Sequence, residues 1–459
     1  MAAQDVAMPT PGLPAAQAEP VSTLAMPTKD LVALDAARPR ERFIPVTTYA
    51  LIDRLASPLT WPQGQAKQAR RFFRYLEYWR RQQHGVALSN LLQAYESFSP
   101  DSDLLITRSF TADERATMQK RVVREIESIL QQANYVRIDP ADVAMILTKE
   151  SHYGLDLHVD FTAFEEILIY YRGASNRRDQ RRRLRRFMRK EEFDVPIFQR
   201  LFLLFKLKPF ETRVLEIMKD QRLPRREAEK LVRNLRAMIP TTVDEKNIYL
   251  KLFKNIPRSD VEMVFPNTRV KFRLLDKLRL GLTGGAGLGM GAFGAAGKIA
   301  VAATNPIVAI GAVLGLGGVA FRQAVNFLNQ KQRYMVVMAQ NLYFHAMADN
   351  RGVLIKLADR AAEEDVKEEM LLYSVLAKET AKHSDLPAID AAIEQYLATS
   401  FGVSVDFDLE DALRRLITDG IVTEEADGTL RTLGPVAASE HLDAQWDVFL
   451  DNLPDPAGE

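Results

Sequence analysis

LGLTGGAGLGMGAFGAAGKIAVAATNPIVAIGAVLGLGGVAF, residues Leu280 to Phe321, contains one charged residue, Lys298. As a single helix it would run about 63 Å at 1.5 Å per residue. A hydrocarbon core of about 30 Å needs about 20 residues. The length therefore predicts two crossings, with the turn at Gly297-Lys298 or at Thr304-Asn305-Pro306. Arg269, Lys271, Arg273, Lys277 and Arg279 precede it, and Arg322, Lys331 and Arg333 follow. Basic flanks at both ends place both on the cytoplasmic side. Gly281, Gly285 and Gly289, then Gly311 and Gly315, recur every four residues. That spacing lets helix backbones approach closely, within one hairpin or between copies of the chain.

Outward from this stretch, the N-terminal side reads as an α+β domain. Residues 1–37 are Ala/Pro-rich, with neither a secretory nor an Arg-rich transit pattern, and read as a disordered tail. Thr47–Leu55, Gln65–His84 and Asp113–Asn134 show helical periodicity, with Phe72, Phe73, Leu76 and Trp79 on one stripe. From Leu155 the period changes to two, and Ile167–Tyr171, Val195–Leu207 and Ile248–Phe253 read as further strands. A charged helix over Pro209–Met238 is interrupted at Pro224.

On the C-terminal side, Arg322–Ala348 reads as a helix leaving the interface. Val353–Arg360 and Asp365–Lys378 read as a helical pair. The last unit has Leu409, Leu413, Leu416 and Ile417 on one helix face, two short strands at Ile421–Glu425 and Thr429–Leu433, and a closing helix with Trp446. The predicted architecture is an α+β N-terminal domain, a two-helix transmembrane hairpin, a helical segment and a winged-helix-like C-terminal domain. Its boundaries are 1–37, 38–278, 279–321, 322–384, 385–453 and a tail at 454–459.

Composition narrows the chemistry. With no cysteine, disulfides, thiol catalysis and zinc-thiolate sites are excluded. Six histidines show no HxxxH or HExxH spacing, and no phosphate loop, GxSxG elbow or kinase signature set occurs. No cofactor is expected. The net charge of +1 leaves polyanion binding to local clusters. The densest is Arg177, Arg178, Arg181, Arg182, Arg183, Arg185, Arg186, Arg189 and Lys190, which suits anionic lipid or a solvated face and, less well, the phosphates of a nucleic acid. Asp156, His158 and Asp160 share one face of a strand, a metal pattern that a solvent-facing edge also produces. Glu165 and Glu166 are adjacent and point opposite ways on a strand, so they do not form an acid–base pair. His345 sits in an aromatic turn and reads as packing. The would-be recognition helix of the winged unit is acidic, with Asp408, Glu410, Asp411 and Asp419 against Arg414 and Arg415, which disfavours nucleic acid.

Four stretches carry a family likeness. They are Arg40-Glu-Arg-Phe-Ile-Pro45, Tyr249–Pro257 with Asp260–Pro266, the apolar hairpin, and Asp411–Leu416 with Trp446-Asp447. From about Arg38 to Leu453 the chain resembles the transmembrane protein 143-like family, a membrane protein family of unknown function (domain of unknown function 3754). The resemblance implies a two-span membrane protein and no reaction, substrate or catalytic residue.

The expectation is a non-enzymatic scaffold or regulator in the bacterial inner membrane, with both termini cytoplasmic. Its partners would be the bilayer, anionic lipids, a protein yet unnamed, and further copies through the glycine face. The alternatives are a membrane-bound enzyme acting on lipid or another anionic substrate, and a channel-like oligomer of the hairpin.

Overall fold

The computed structural model describes residues 40–452, except 59, 63, 105–109, 141–154, 183–189, 238, 258–260, 262–263, 268 and 273–341. Residues 40–459 cluster as one unit, separate from 1–39.

A five-stranded antiparallel sheet organises the first part. Its order is β1–β3–β4–β5–β7, built from β1 (Val136–Arg137), β3 (Phe164–Arg182), β4 (Lys190–Leu207), β5 (Tyr249–Pro257) and β7 (Ala346–Asp349). A separate two-stranded pair joins β2 (Leu155–His158) to β6 (Arg269–Phe272). Alternate residues of the central strands enter different cores, as a period-two pleat requires. Leu168, Tyr170, Phe202, Leu204, Leu250 and Leu252 join one apolar cluster. Ile169, Leu201, Leu203, Phe205, Tyr249 and Phe253 join another. With both faces covered, Leu201–Phe205 reads as an unbroken apolar run rather than an alternating one.

Helices α1 (Thr48–Leu55), α2 (Gln65–Glu96) and α3 (Ala112–Gln132) precede the sheet. Helix α3 begins with a capping box, in which Thr111 accepts from the Glu114 amide and the Glu114 carboxylate answers the Thr111 amide. The proline at 224 separates α4 (Phe210–Gln221) from α5 (Arg225–Arg236), which share a small core of Val214, Ile217, Ala228 and Val232.

Helix α6 (Asn350–Leu376) is one 27-residue helix rather than a helical pair. Its first half, with Val353, Leu354, Leu357 and Ala361, packs on the sheet. Its second half, with Val366, Met370 and Tyr373, packs on α1, α2 and the C-terminal elements. Those are β8 (Ala381–Lys382), α7 (Leu386–Phe401), α8 (Leu409–Thr418), β9 (Val422–Glu424), β10 (Thr429–Thr432) and α9 (Pro435–Asp451). The second sheet has the order β8–β10–β9. In chain order, a helix (α6), a strand, two helices, a hairpin and a closing helix make up the C-terminal elements that the sequence reads as winged-helix-like.

The transmembrane hairpin is corrected here. Among the described residues no helix is long and apolar enough to cross a membrane. The two longest described helices are interrupted by charge, at Arg70, Arg71, Arg74, Glu77, Arg80 and Arg81 in α2 and at Glu363–Glu369 in α6. Residues 279–321, with Gly281, Gly285, Gly289, Gly311 and Gly315, lie outside the described residues. The fold class is therefore α+β, built on the five-stranded antiparallel sheet. The integral-membrane function, the bacterial inner-membrane location and the cytoplasmic assignment of both termini rested on the hairpin and are withdrawn with it. The helix expected to run to Ala348 is also revised. Residues 346–349 form the edge strand β7, paired with β5 through Leu252 and Ala348.

Candidate functional site

The middle of α6 carries Glu364, Asp365, Lys367, Glu368 and Glu369, all buried between the two apolar clusters. A buried charge is tolerated only when paired and hydrogen-bonded, and each neighbouring element supplies a partner. Arg80 of α2 donates through Nε to Glu369 Oε1 at 2.7 Å and through Nη2 to Asp419. His84, one turn further, lies 2.8 Å from Asp365 Oδ2. Arg172 of β3 reaches Glu364 at 2.8 Å. Arg415 of α8 contacts four carboxylates, those of Asp365 (3.2 Å), Glu368 (2.6 Å), Glu369 (2.7 Å) and Asp411.

Five deeply buried carboxylates (Glu364, Asp365, Glu368, Glu369, Asp419) and the half-buried Asp411 thus face Arg80, Arg172, Lys367, Arg415 and His84. The carboxylates outnumber the Arg and Lys side chains, which favours a proton among them. Glu368 is a natural place for it. Burial pushes its carboxyl up to about 8, against the opposing pull of Arg415. Burial also raises Glu369, in spite of Arg80 and Arg415. Burial alone would pull Arg80 down, but Glu369 and Asp419 more than offset it.

Asp365, Glu368 and Asp411 bring three carboxylate oxygens within 4.8 Å of one another, a spacing that could hold a metal ion. The Arg415 guanidinium already contacts all three side chains. It supplies the positive charge that a cation would bring.

A strap closes the same junction. Residues Arg40–Pro45 run between the sheet, α6 and the winged-helix elements. Glu41 bridges Val405 in parallel, donating to Ser404 O and accepting from Asp406 N, while its carboxylate accepts from Ala174 N. Phe43 lies under the Arg172 guanidinium, 4.3 Å from ring centroid to Cζ. The Ile44 amide donates to Glu364 at 2.8 Å, and Lys367 donates to the Ile44 carbonyl at 2.9 Å.

Beside the strap opens a cleft of about 660 Å³. Asn134, Tyr135, Leu386, Asp390 and the segment Asp406–Glu410 line it, together with Arg42 and His383. Asp390, Asp406, Asp408 and Glu410 outnumber these basic groups, and Arg42 lies 4.0 Å from Asp406. Burial raises the Asp390 carboxyl, and Glu394, Asp406 and Asp408 push it further, with Arg40 opposing. Its Oδ1 is buried without a hydrogen-bond partner. The cleft touches the ion network directly, because Asn134 donates to Glu368 Oε1 at 3.0 Å. Asn134 holds a left-handed backbone (φ 59°), which ends α3 and turns this side chain inward.

The residues singled out in the sequence fall elsewhere. The backbones of Arg177, Arg178, Arg181 and Arg182 lie on β3. There Arg178 pairs in register with Asp194, Arg181 with Glu191 and Arg182 with Lys190. Arg183, Arg185 and Arg186 lie outside the described residues. Asp160 does not continue the strand of Asp156 and His158, because β2 ends at His158 and Asp160 caps a short 3-10 turn. Glu165 and Glu166 both lie within reach of the Gln119 amide, at 3.2 and 3.4 Å, because the register shifts between Phe164 and Glu166. A bulge breaks the alternation on which the opposed-directions argument relied. His345 bonds the Lys254 carbonyl at 2.7 Å. In α8, Asp411 and Arg415 turn toward α6, and the hairpin of the winged unit carries Glu424, Glu425 and Asp427. Neither feature suits a phosphate backbone.

Residues 164–352 match the model of a family described as protein of unknown function (DUF3754). The match runs from the start of β3 to the first turn of α6. The strap, the charged centre of α6 and the winged-helix elements fall outside it. No solved structure matches the chain.

The sequence reading passed over Glu364–Glu369 and Asn134. A usable signal was there. Residues 370–376 are apolar but for Ser374, while 353–362 keep a charged face with Lys356, Asp359 and Arg360. A helix apolar all round is buried, so charges in the turns just before 370–376 are candidates for burial and pairing.

Proposed function

We propose that the protein is a non-catalytic binding module whose acidic cleft takes an organic cation. The observation that carries this reading is the set of four carboxylates, Asp390, Asp406, Asp408 and Glu410, that line an open cleft together with the apolar Leu386, Phe407 and Leu409. Its volume falls within the ~300–1,000 Å³ usual for small-molecule sites. Apolar contact for a carbon chain and separated carboxylates for its charges suit a linear oligoamine. Against catalysis, the displaced carboxyl of Glu368 is committed to Asn134 and Arg415 rather than presented to the cleft. The finer kinship with transmembrane protein 143, read from the strap, β5 and Asp411–Leu416, belongs to this proposal as a relationship only and supplies no reaction.

Calorimetric titration of the full chain with spermine tests the reading, with tetralysine as a second arm. Spermine should bind, and Asp390→Asn with Asp406→Asn should weaken it by about tenfold or more, which is about 1.4 kcal/mol. Tetralysine binding the tighter of the two would assign the cleft to a basic chain segment. No heat from either ligand at millimolar concentration would refute the proposal.

A further inference from the structure

We propose that cation binding in the cleft is coupled through Asn134 to a proton held on Glu368, so that an arriving cation expels that proton. This rests on the cleft being a cation site, and it adds how that site is regulated.

The geometry is a two-step relay. Asn134 is part of the cleft wall and its amide is bonded to Glu368 Oε1 at 3.0 Å. A second part of the lining is coupled as well. Asp408, Leu409 and Glu410 line the cleft, and Asp408 caps α8 by accepting from the Asp411 amide at 3.2 Å. Helix α8 then carries Asp411 and Arg415 into contact around Glu368. Both parts of the lining therefore converge on one buried carboxyl.

The surroundings of Glu368 favour a single proton there. Facing the network from α6 itself are Glu364, Asp365, Lys367 and Glu369. From α2 come Arg80 and His84, from β3 Arg172, from α8 Asp411 and Arg415, and from the end of α8 Asp419. Arg415 is shared among four of these carboxylates, which leaves Glu368 undercompensated. Its carboxyl accordingly sits near 8, with burial as the largest cause. Asn134 can accommodate either form. Its oxygen accepts from the protonated acid and its nitrogen donates to the carboxylate, the two differing by an amide flip. A cation in the cleft favours the carboxylate, and by reciprocity the carboxylate favours the cation.

The sign follows directly. Below about pH 8, binding releases up to one proton and affinity rises with pH; above it, the dependence flattens. Each unit by which the bound cation lowers the Glu368 pKa corresponds to about a tenfold gain in affinity across that range.

The test is calorimetry of spermine binding at pH 7.5 in phosphate and in Tris, whose ionisation enthalpies differ. The wild-type heat should differ between buffers by an amount equal to a released fraction of a proton. In Glu368→Gln the buffer dependence should vanish while binding persists. Asn134→Gly keeps the left-handed turn and removes the link, and serves if the first variant fails to fold. It should bind with proton release reduced by at least half. Wild-type binding with buffer-independent heat overturns the coupling and leaves the cation site standing. Equal proton release in both variants likewise overturns it and assigns the proton to another group, such as Asp390. No binding by the wild type overturns both readings together.

Discussion

Arg415 of α8 meets Glu369 of α6 with Nε 2.7 Å from Oε1, and the same oxygen receives Arg80 Nε at 2.7 Å. One carboxylate oxygen thereby joins the winged-helix elements to the long helix of the N-terminal part. Removing one partner of a buried pair typically costs ~3–5 kcal/mol, because the other charge remains buried and alone. Arg415→Ala should therefore lower stability by about that amount in urea unfolding. Arg415→Lys should fall between the two, since an ammonium cannot reproduce the planar fork. A loss under ~1 kcal/mol for Arg415→Ala would place the network's contribution at the level of surface pairs.

The raised Glu368 carboxyl makes a stability prediction independent of any ligand. In the folded state it holds a proton up to about pH 8, while in the unfolded chain it loses it near 4.5. The unfolded state binds fewer protons in that window, so stability should fall as pH rises through it and level off above. Glu369 is raised in the same direction and contributes to the same slope. Glu368→Gln should flatten the decline in urea-unfolding stability between pH 6 and 9. An unchanged slope would show that Glu368 does not carry the proton.

Ile44 is 1% exposed and anchors the strap. Ile44→Ala should cost ~2–5 kcal/mol as a large-to-small core change. It should also raise amide exchange at Asp406, whose N–H is bonded to Glu41 O. If exchange at Asp406 stays slow in a destabilised variant, the strap holds without its anchor.

Two glycines with positive φ separate strain from collision. Gly402 (φ 65°) has open space where a Cβ would stand, whereas at Gly420 (φ 70°) a Cβ would lie 2.9 Å from His441 Nε2. That ring nitrogen is engaged with the Asp419 carbonyl at 2.8 Å. Gly402→Ala should cost about 1 kcal/mol for the backbone alone, and Gly420→Ala more, up to ~3 kcal/mol. Equal melting temperatures for the two variants would contradict the steric part of this argument.

Periodicity made the helices legible where their faces differ. The stripe of Phe72, Phe73, Leu76 and Trp79 is the buried face of α2 in the structure. The strands around Ile169 and Phe202 were found because β-rich apolar runs are short and bounded. The outer halves of β3 and β4 were missed, since Arg177–Arg182 and Lys190–Asp194 lack apolar alternation and extend only because each strand templates the other. Apolar composition was the misleading signal. Leu280–Gly297 consists mostly of glycine and alanine, and glycine adds no side chain to bury, so length, low charge and basic flanks overstated its case for a bilayer. The candidate site was hardest to read because its members are distant in sequence. Nothing local to Asn134 announces Glu368, and nothing local to Arg80 announces Asp419.

The strap also sets an order of events during synthesis. Arg40–Pro45 leaves the ribosome early, yet its partners Glu364, Lys367, Ser404 and Asp406 are made more than 300 residues later. At ~5–20 residues per second that is a delay of roughly 15–60 s. Until residues 404–406 emerge, the Glu41 backbone lacks its partners Ser404 and Asp406. A nascent chain stalled before residue 406 therefore presents an unclosed seam. A chaperone or protease could distinguish it from the finished protein by that seam alone.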